Sequence, residues 1–479
     1  MLPRAVVRFG LVLLACCTTV LQGRAESPAF RAGAAVVDIT PQEFPISMLG
    51  SLGDRKAASA HDRLSARALV LDDGCMRVAI VLCDSCAIPR GLFDQAKQLA
   101  ARQTGIPADR MLMAATHTHT APAVVVISDI PVDPRYTKLL VEKIAEAIAQ
   151  AESRLAPARI GWGVIPVPEE VFNRRWFMKE GKIPPNPFGK VDKARMNPPP
   201  GSPDLVRPAG PTDPDVSVLS VETAEGKPLA LLANYSLHYV GDVPGGVLSA
   251  DYFGEFAREI QGRVAPGSQS AGFVGMLSNG TSGDVNNISF LKPRTPGPAF
   301  SRIHAVAARV AGAAEQAHRR IEHREKITLA MAEREIALGV RKPNPEQLAR
   351  ARAILAEPSD QGLPGLARYY ADSAVRLSQY PDTITIKLQA LRIGELGVVA
   401  IPCEVFAEIG LEIKRRSPLR PTFAIELANG CDGYLPTPEQ HALGGYETWA
   451  ATSSFLEVEA SRKITSTLVE MLAGVSKTP

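Results

Sequence analysis

Two histidines two residues apart raise the first chemical question in this sequence. His117 and His119 come directly after the apolar stretch Met111–Ala115, inside Thr116-His117-Thr118-His119-Thr120. On an extended backbone, residues i and i+2 point to one face. Two imidazoles would then meet one metal ion or one reacting group at a strand end, unless they are simply hydrogen-bonded core residues. His238 repeats the pattern just beyond Leu231-Leu232-Ala233-Asn234-Tyr235, and Ser249 and Asp251 then open a helix, with Ser249 as its N-cap. A third apolar run, Val398-Val399-Ala400-Ile401, leads through Pro402 to Glu404. Glu404 is expected in the first turn of a helix, where unpaired N–H groups favour a carboxylate, and an ordinary acidic helix start is the plainer reading. The string Ser278-Asn279-Gly280-Thr281-Ser282-Gly283-Asp284-Val285-Asn286-Asn287 suits a tight loop presenting N–H groups to an oxyanion, or an Asx-rich turn.

These residues need elements that bring distant chain ends together. Strand-like runs fall at 34–39, 64–72 and 76–83, the last two joined by Asp72-Asp73-Gly74-Cys75, a hairpin signal. Helical apolar spacing covers 90–103 and 137–152. Strands are expected again at 216–222 and 228–236, and helices at 250–264 and 299–320. A charged, Ala-rich helical excursion follows at 343–379. Strands at 383–393 and 396–401, a helix after Pro402, a strand at 422–427 and a closing helix at 455–473 complete the pattern. The fold class is α/β (α+β): layered mixed sheets flanked by helices, in a single large catalytic domain over 26–479. The proline-rich loop 179–214 is too long for a passive connector and reads as a lid or substrate rim. Trp176, Phe177 and Met178 before it are expected to form one wall of an apolar channel.

The bulk numbers exclude several classes. With 53 basic and 50 acidic residues in 479, the net charge of +3 gives no reason for a nucleic-acid partner. There is no GxSxG elbow, HExxH helix or Walker loop, which disfavours the common serine hydrolases, zincins and P-loop enzymes. Seven cysteines at irregular spacing form no disulfide framework, and Cys83 and Cys86 read as core thiols. Residues 1–25 have the make-up of a signal peptide: Arg4 and Arg8, an apolar run, and Gly23-Arg24-Ala25 before the cut. The protein is therefore expected to be exported, periplasmic or secreted. Leu13-Leu14-Ala15-Cys16 offers the alternative of a lipid anchor at Cys16.

Several of these strings together resemble the neutral/alkaline ceramidases. Ala115-Thr116-His117-Thr118-His119-Thr120-Ala121-Pro122 is similar to the family's THTHSxP signature. In order along the chain, His61-Asp62-Arg63-Leu64-Ser65-Ala66-Arg67-Ala68, Asn173-Arg174, His238 with Ser249-Ala250-Asp251, Pro402-Cys403-Glu404, and Asn429 to Glu439 with Gly445-Tyr446-Glu447 resemble its other segments. The resemblance implies a zinc-dependent hydrolase of an N-acyl bond, with Zn2+ held by His117, His238, Glu404 and Tyr434. It implies catalytic roles for His119, Arg174 and the loop position of Asn286. Its expected partner is a small-molecule or lipid N-acyl substrate, with a membrane surface as a further contact. Asn286 stands where the family carries a serine in G-D-V-S-P-N, so a zinc-activated water survives the change and a serine acyl-enzyme does not. Full-size members carry an additional C-terminal β-sandwich, which this chain is expected to lack. A zinc esterase and a non-catalytic exported binding protein of the same fold are the alternatives.

Overall fold

The computed structural model describes residue 1 and residues 29–478, apart from 127–129, 268–271, 359–361 and 364. The expected leader over 1–25 and the Cys16 anchor lie outside the described residues. An eight-stranded mixed sheet forms the centre. Its strands are β1 (Arg31–Asp38), β2 (Ser65–Asp72), β3 (Arg77–Cys83), β4 (Met111–Ala115), β5 (Ala156–Pro166), β6 (Asp215–Thr223), β7 (Pro228–Tyr235) and β8 (Val274–Asn279). They lie in the order β8-β7-β6-β5-β1-β2-β3-β4. Two pairs are parallel, β3 with β4 and β7 with β8; the others are antiparallel. A second sheet holds β9 (Leu329–Gly339), β10 (Thr383–Ile393), β11 (Leu396–Ala400) and β12 (Thr422–Ile425), with β11 and β12 parallel.

The two sheets face each other across an apolar layer, and helices cover both outer faces. The strands are therefore buried on two sides, and the period-2 pattern sorts each residue to one layer. In β2, Leu69 and Leu71 face the second sheet, where they join Leu391, Val398 and Phe423. Ala66, Ala68 and Val70 face the opposite way, toward α1 (Arg90–Thr104) and α2 (Pro134–Ser153). Small Ala residues there let α2 lie close to the sheet. The far half of the same outer face is covered by α3 (Asp251–Val264) and α4 (Ser301–His318). The excursion at 343–379 forms α5 (Pro345–Ala356) and α6 (Ala367–Ser378). Then α7 (Ala407–Arg416), a short α8 (Pro438–Leu443) and α9 (Ala460–Val475) follow; α7 and α9 pack outside the second sheet.

Local signals explain the element ends. Asp133 accepts the Arg135 amide at 2.8 Å with Pro134 opening α2, and Gly105 ends α1 with φ of 73°. Ala250, not the expected Ser249, takes the N-cap position of α3; Ser249 Oγ accepts the Asp251 amide at 3.1 Å from one residue earlier. Cys83 and Cys86 are buried free thiols, as expected. Among the described residues, no helix is long and apolar enough to cross a membrane.

Candidate metal centre and active site

The parallel strands decide where the site lies. Ligands collect beyond the carboxyl ends of parallel strands, where chain directions agree and loops diverge. Here β4 leads to His117 and His119, β7 to His238, β8 to Ser282, β11 to Glu404 and β12 to Glu426. The histidine pair does not converge by strand alternation. The strand stops at Ala115, and His117 takes φ of 77°, a left-handed kink that turns both rings to one point. Thr118 and Thr120 hold the kinked loop by donating their hydroxyls to the Ser249 carbonyl at 2.7 and 3.0 Å. Glu404 is not in a helix. It pairs side by side with Tyr434 in a two-residue parallel bridge, and α7 starts only at Ala407. Pairing with the 434–435 segment overrides the helix-start signal because it places Glu404 beside the histidines.

The hydrogen bonds of the three rings fix their protonation. His117 Nδ1 lies 2.7 Å from the Cys86 carbonyl, His119 Nδ1 2.9 Å from the Gly50 carbonyl, and His238 Nδ1 3.2 Å from the Ser282 carbonyl. A carbonyl only accepts, so each Nδ1 carries a proton, and each ring, when neutral, presents a lone pair at Nε2. Those lone pairs converge: His117 Nε2 is 2.9 Å from His238 Nε2 and 3.1 Å from His119 Nε2. Glu404 Oε2 joins them at 3.4 Å from His117 and 3.8 Å from His238, buried and with no hydrogen-bond partner. Three lone pairs and a carboxylate oxygen facing one point call for positive charge among them, either a proton on His117 or a metal ion. Ligands about 2.0–2.1 Å from a tetrahedral ion stand about 3.3 Å apart. The spacings of His117, His238 and Glu404 bracket that value.

The electrostatics agree. Burial opposes charge on His117, yet Cys86 and Glu404 pull it well above the ordinary histidine value. Burial and that neighbouring charge hold His238 and His119 well below it. Burial and Glu404 push the Tyr434 phenol up, while Arg174 pulls it down. The cluster is built to take positive charge at its centre.

Arg174 closes one side. Its guanidinium lies 5.5 Å from the centre of the Tyr434 ring, and its Nε donates to Glu447 at 2.9 Å. Glu447 is fully buried and also accepts from Arg175 at 2.7 Å, so its charge is matched. Arg174 Nη2 is buried with no hydrogen-bond partner. Asn286 sits in a two-residue strand against Phe172 and Asn173, one step from Arg174, and donates its amide to Asn197 at 2.6 Å.

Beyond the cluster lies a cavity of about 540 Å³, bordered by His117, His119, Glu404 and Tyr434. Its apolar walls come from Leu49, Leu52, Val125, Val126, Tyr369, Tyr380 and Ile384. None of its lining residues belongs to loop 179–214, and Trp176 is not among them either. Trp176 is buried, donates Nε1 to the Asn173 carbonyl at 3.1 Å and packs on Phe290. The expected channel wall is therefore a pin that ties the loop down. The indole found both an apolar contact and a carbonyl locally, so the wall fell instead to the excursion bearing Tyr369.

Residues 30–290, more than half of the chain, match the N-terminal domain of the neutral/alkaline non-lysosomal ceramidases. The protein belongs to this ceramidase family. Membership makes it an enzyme. Similar solved structures include a neutral ceramidase from Pseudomonas aeruginosa, at 21% identity and a TM-score of 0.70, covering 94% of this chain and 75% of that one. Another is a ceramidase complexed with C2, at 19% identity and a TM-score of 0.71, with the same coverage. At such identities the likeness concerns the fold. No curated protein matches the chain.

The ceramidase match ends before Glu404, so the carboxylates of the site are placed by the tertiary structure. Sequence reading missed Glu426. It is fully buried, accepts from Ser282 Oγ at 2.6 Å and from the Val405 amide at 2.7 Å, and burial pushes its carboxyl up to about 8. It braces the two segments that carry the His238 acceptor and Glu404. The signal was a lone acid ending an apolar strand, Thr422–Ile425. Gly50 was also missed, while Gly283 lies in the loop expected at 278–287. A Cβ on Gly50 would meet His119 at 2.6 Å, and one on Gly283 would meet the Glu404 carbonyl at 2.6 Å.

Proposed function

We propose that this ceramidase-family enzyme is a zinc-dependent amidohydrolase acting on the N-acyl bond of a ceramide-like lipid, with the metal held by His117, His238, Glu404 and Tyr434. One observation carries the reading: the Nε2 atoms of His117 and His238, 2.9 Å apart, meet an unpartnered Glu404 oxygen at 3.4 and 3.8 Å. Two imidazoles, a carboxylate and a phenol are nitrogen and oxygen donors that suit zinc. When bound, zinc supplies Lewis acidity toward an amide carbonyl and lowers the pKa of water to about 7.

The chain's own residues do the rest. The carbonyls of Cys86 and Ser282 hold the His117 and His238 rings in the ligating tautomer. Arg174 Nη2 is an unused buried donor for the oxygen that gains charge when the amide is attacked. His119 keeps a free Nε2 lone pair and is stacked on Tyr239 at 3.7 Å between ring centres, which fixes it as proton acceptor and then donor to the leaving amine. Asn286 has no nucleophile to offer and serves as a hydrogen-bonding residue beside Arg174. The apolar side of the cavity takes the acyl chain, and a lipid substrate brings the enzyme to a membrane surface. Export through residues 1–25, with 26–479 as one catalytic domain, belongs to the same proposal.

The test is metal exchange with paired substrates. Chelation should remove one zinc from this centre and abolish hydrolysis of an N-acyl sphingoid amide, and added zinc should restore both. Full activity in the chelated protein would overturn the zinc reading. Faster turnover of the matched ester at every chain length would overturn the amide reading.

A further inference from the structure

A second group of metal-type ligands lies at the other end of the central sheet. β6 runs antiparallel to β7, so the Glu222 end of β6 is opposite the end where β7 delivers His238. Glu222, His318 and His323 each bring one ligand atom within 4.8 Å of the others. Their placement is built into the fold. Ser220 and Glu222 are two apart on β6 and share the face covered by α4. His318 is the last residue of α4. The turn after it carries Ile321 against β5, where a Cβ on Gly161 would meet the Ile321 side chain at 2.4 Å. That close approach returns His323 to the sheet, with 8% of its side chain exposed beside 13% for Glu222.

A serine hydroxyl ties the two imidazoles together. Ser220 Oγ lies 2.8 Å from His318 Nδ1 and 3.0 Å from His323 Nε2. A hydroxyl has one proton, so one of the two rings must donate to it. His323 Nδ1 lies 3.6 Å from Glu222 Oε2. That is near the spacing of about 3.3 Å between ligands on a tetrahedral ion. The C-terminal carbonyls of the 18-residue α4 favour a cation at His318. Arg159, 2.9 Å from Glu222 Oε2, fixes the carboxylate in place.

We propose that Glu222, His318 and His323 form a second zinc site that clasps the C-terminal end of α4 to β6. It is independent of the His117 centre and of the reaction proposed there. Its role is to hold an element in place, because no cavity residue of the active site belongs to it.

The test counts zinc in the full chain after chelation, reloading with zinc and gel filtration. Wild type should hold two ions per chain, and His318→Ala/His323→Ala one, with hydrolysis unchanged. His238→Ala should still hold one, which His238→Ala/His323→Ala loses. Glu222→Gln keeps the shape of the site and serves if the double variant does not fold; it should weaken the second equivalent about tenfold or more. Zinc should raise the melting temperature of His238→Ala and not that of His238→Ala/His323→Ala. A double variant, or Glu222→Gln, that retains as much zinc as wild type with equal affinity would overturn the site. So would a His238→Ala protein that holds no zinc.

Discussion

The Nε2 atoms of His117 and His238 face each other at 2.9 Å, each ring having already given its Nδ1 proton to a backbone carbonyl. Two lone pairs cannot hydrogen-bond each other. The contact needs positive charge between the rings, from a proton on His117 or a metal ion, and the following expectations start from it.

His238→Ala removes one of the two facing donors. Zinc at this centre should fall below detection in the chelated and reloaded protein, and kcat/KM should drop by at least about 10³, in line with loss of a metal-activated reaction. Metal analysis beside a steady-state assay checks this. An active, zinc-free variant would refute the ligand assignment.

Arg174→Lys keeps a charge near Glu447 and removes the unpartnered Nη2. Losing one oxyanion donor costs about 10²–10³ in rate. The expected result is that fall in kcat with KM nearly unchanged. A change confined to KM would place Arg174 in substrate binding alone.

Glu426 separates support from ligation. With its carboxyl pushed up to about 8 by burial, it is neutral at pH 7, so Glu426→Gln reproduces its hydrogen bonds. That variant should keep zinc and activity. Glu426→Ala leaves the Ser282 and Val405 amides without this acceptor, at about 1–3 kcal/mol each, and should weaken zinc about 10–100-fold. Equal behaviour of the two variants would show that the hydrogen bonds do not brace the site.

Trp176 and Ile384 should part company in an acyl-length series. Ile384 lines the cavity, and Trp176 does not. Ile384→Ala should flatten the rise of kcat/KM with chain length, since a buried CH₂ contributes about 0.8 kcal/mol. Trp176→Ala should lower stability by about 3–5 kcal/mol and leave that dependence intact. Chemical denaturation and the substrate series give both readouts.

Asp251 gives stability a pH dependence. Burial pushes its carboxyl up to about 6, against three backbone N–H groups that lower it, and the unfolded value is about 3.9. The folded state therefore holds the proton over that window. Its contribution is full below about pH 4 and is lost as pH rises through about 6. Asp251→Asn should give a flatter melting-temperature profile between these values; an unchanged slope would exclude Asp251 as its source.

Much of the architecture was legible in residues 65–83, 111–115 and 383–400, because apolar alternation sets which face a strand buries whatever lies beyond it. The histidines, Glu404 and Tyr434 were legible as a set through the resemblance of short motifs in fixed order. What the chain alone determined was element type and the supply of donors. The tertiary structure decided the chemistry of those donors. The tautomers of His117, His119 and His238 depend on carbonyls 31, 69 and 44 residues away. The kink at His117, the bridge that takes Glu404 out of a helix, and the burial of Glu426 depend on segments just as remote. Local pattern carries no information about such partners, because a hydrogen bond is set by distance in space, and only the closed pair of sheets brings those atoms within reach.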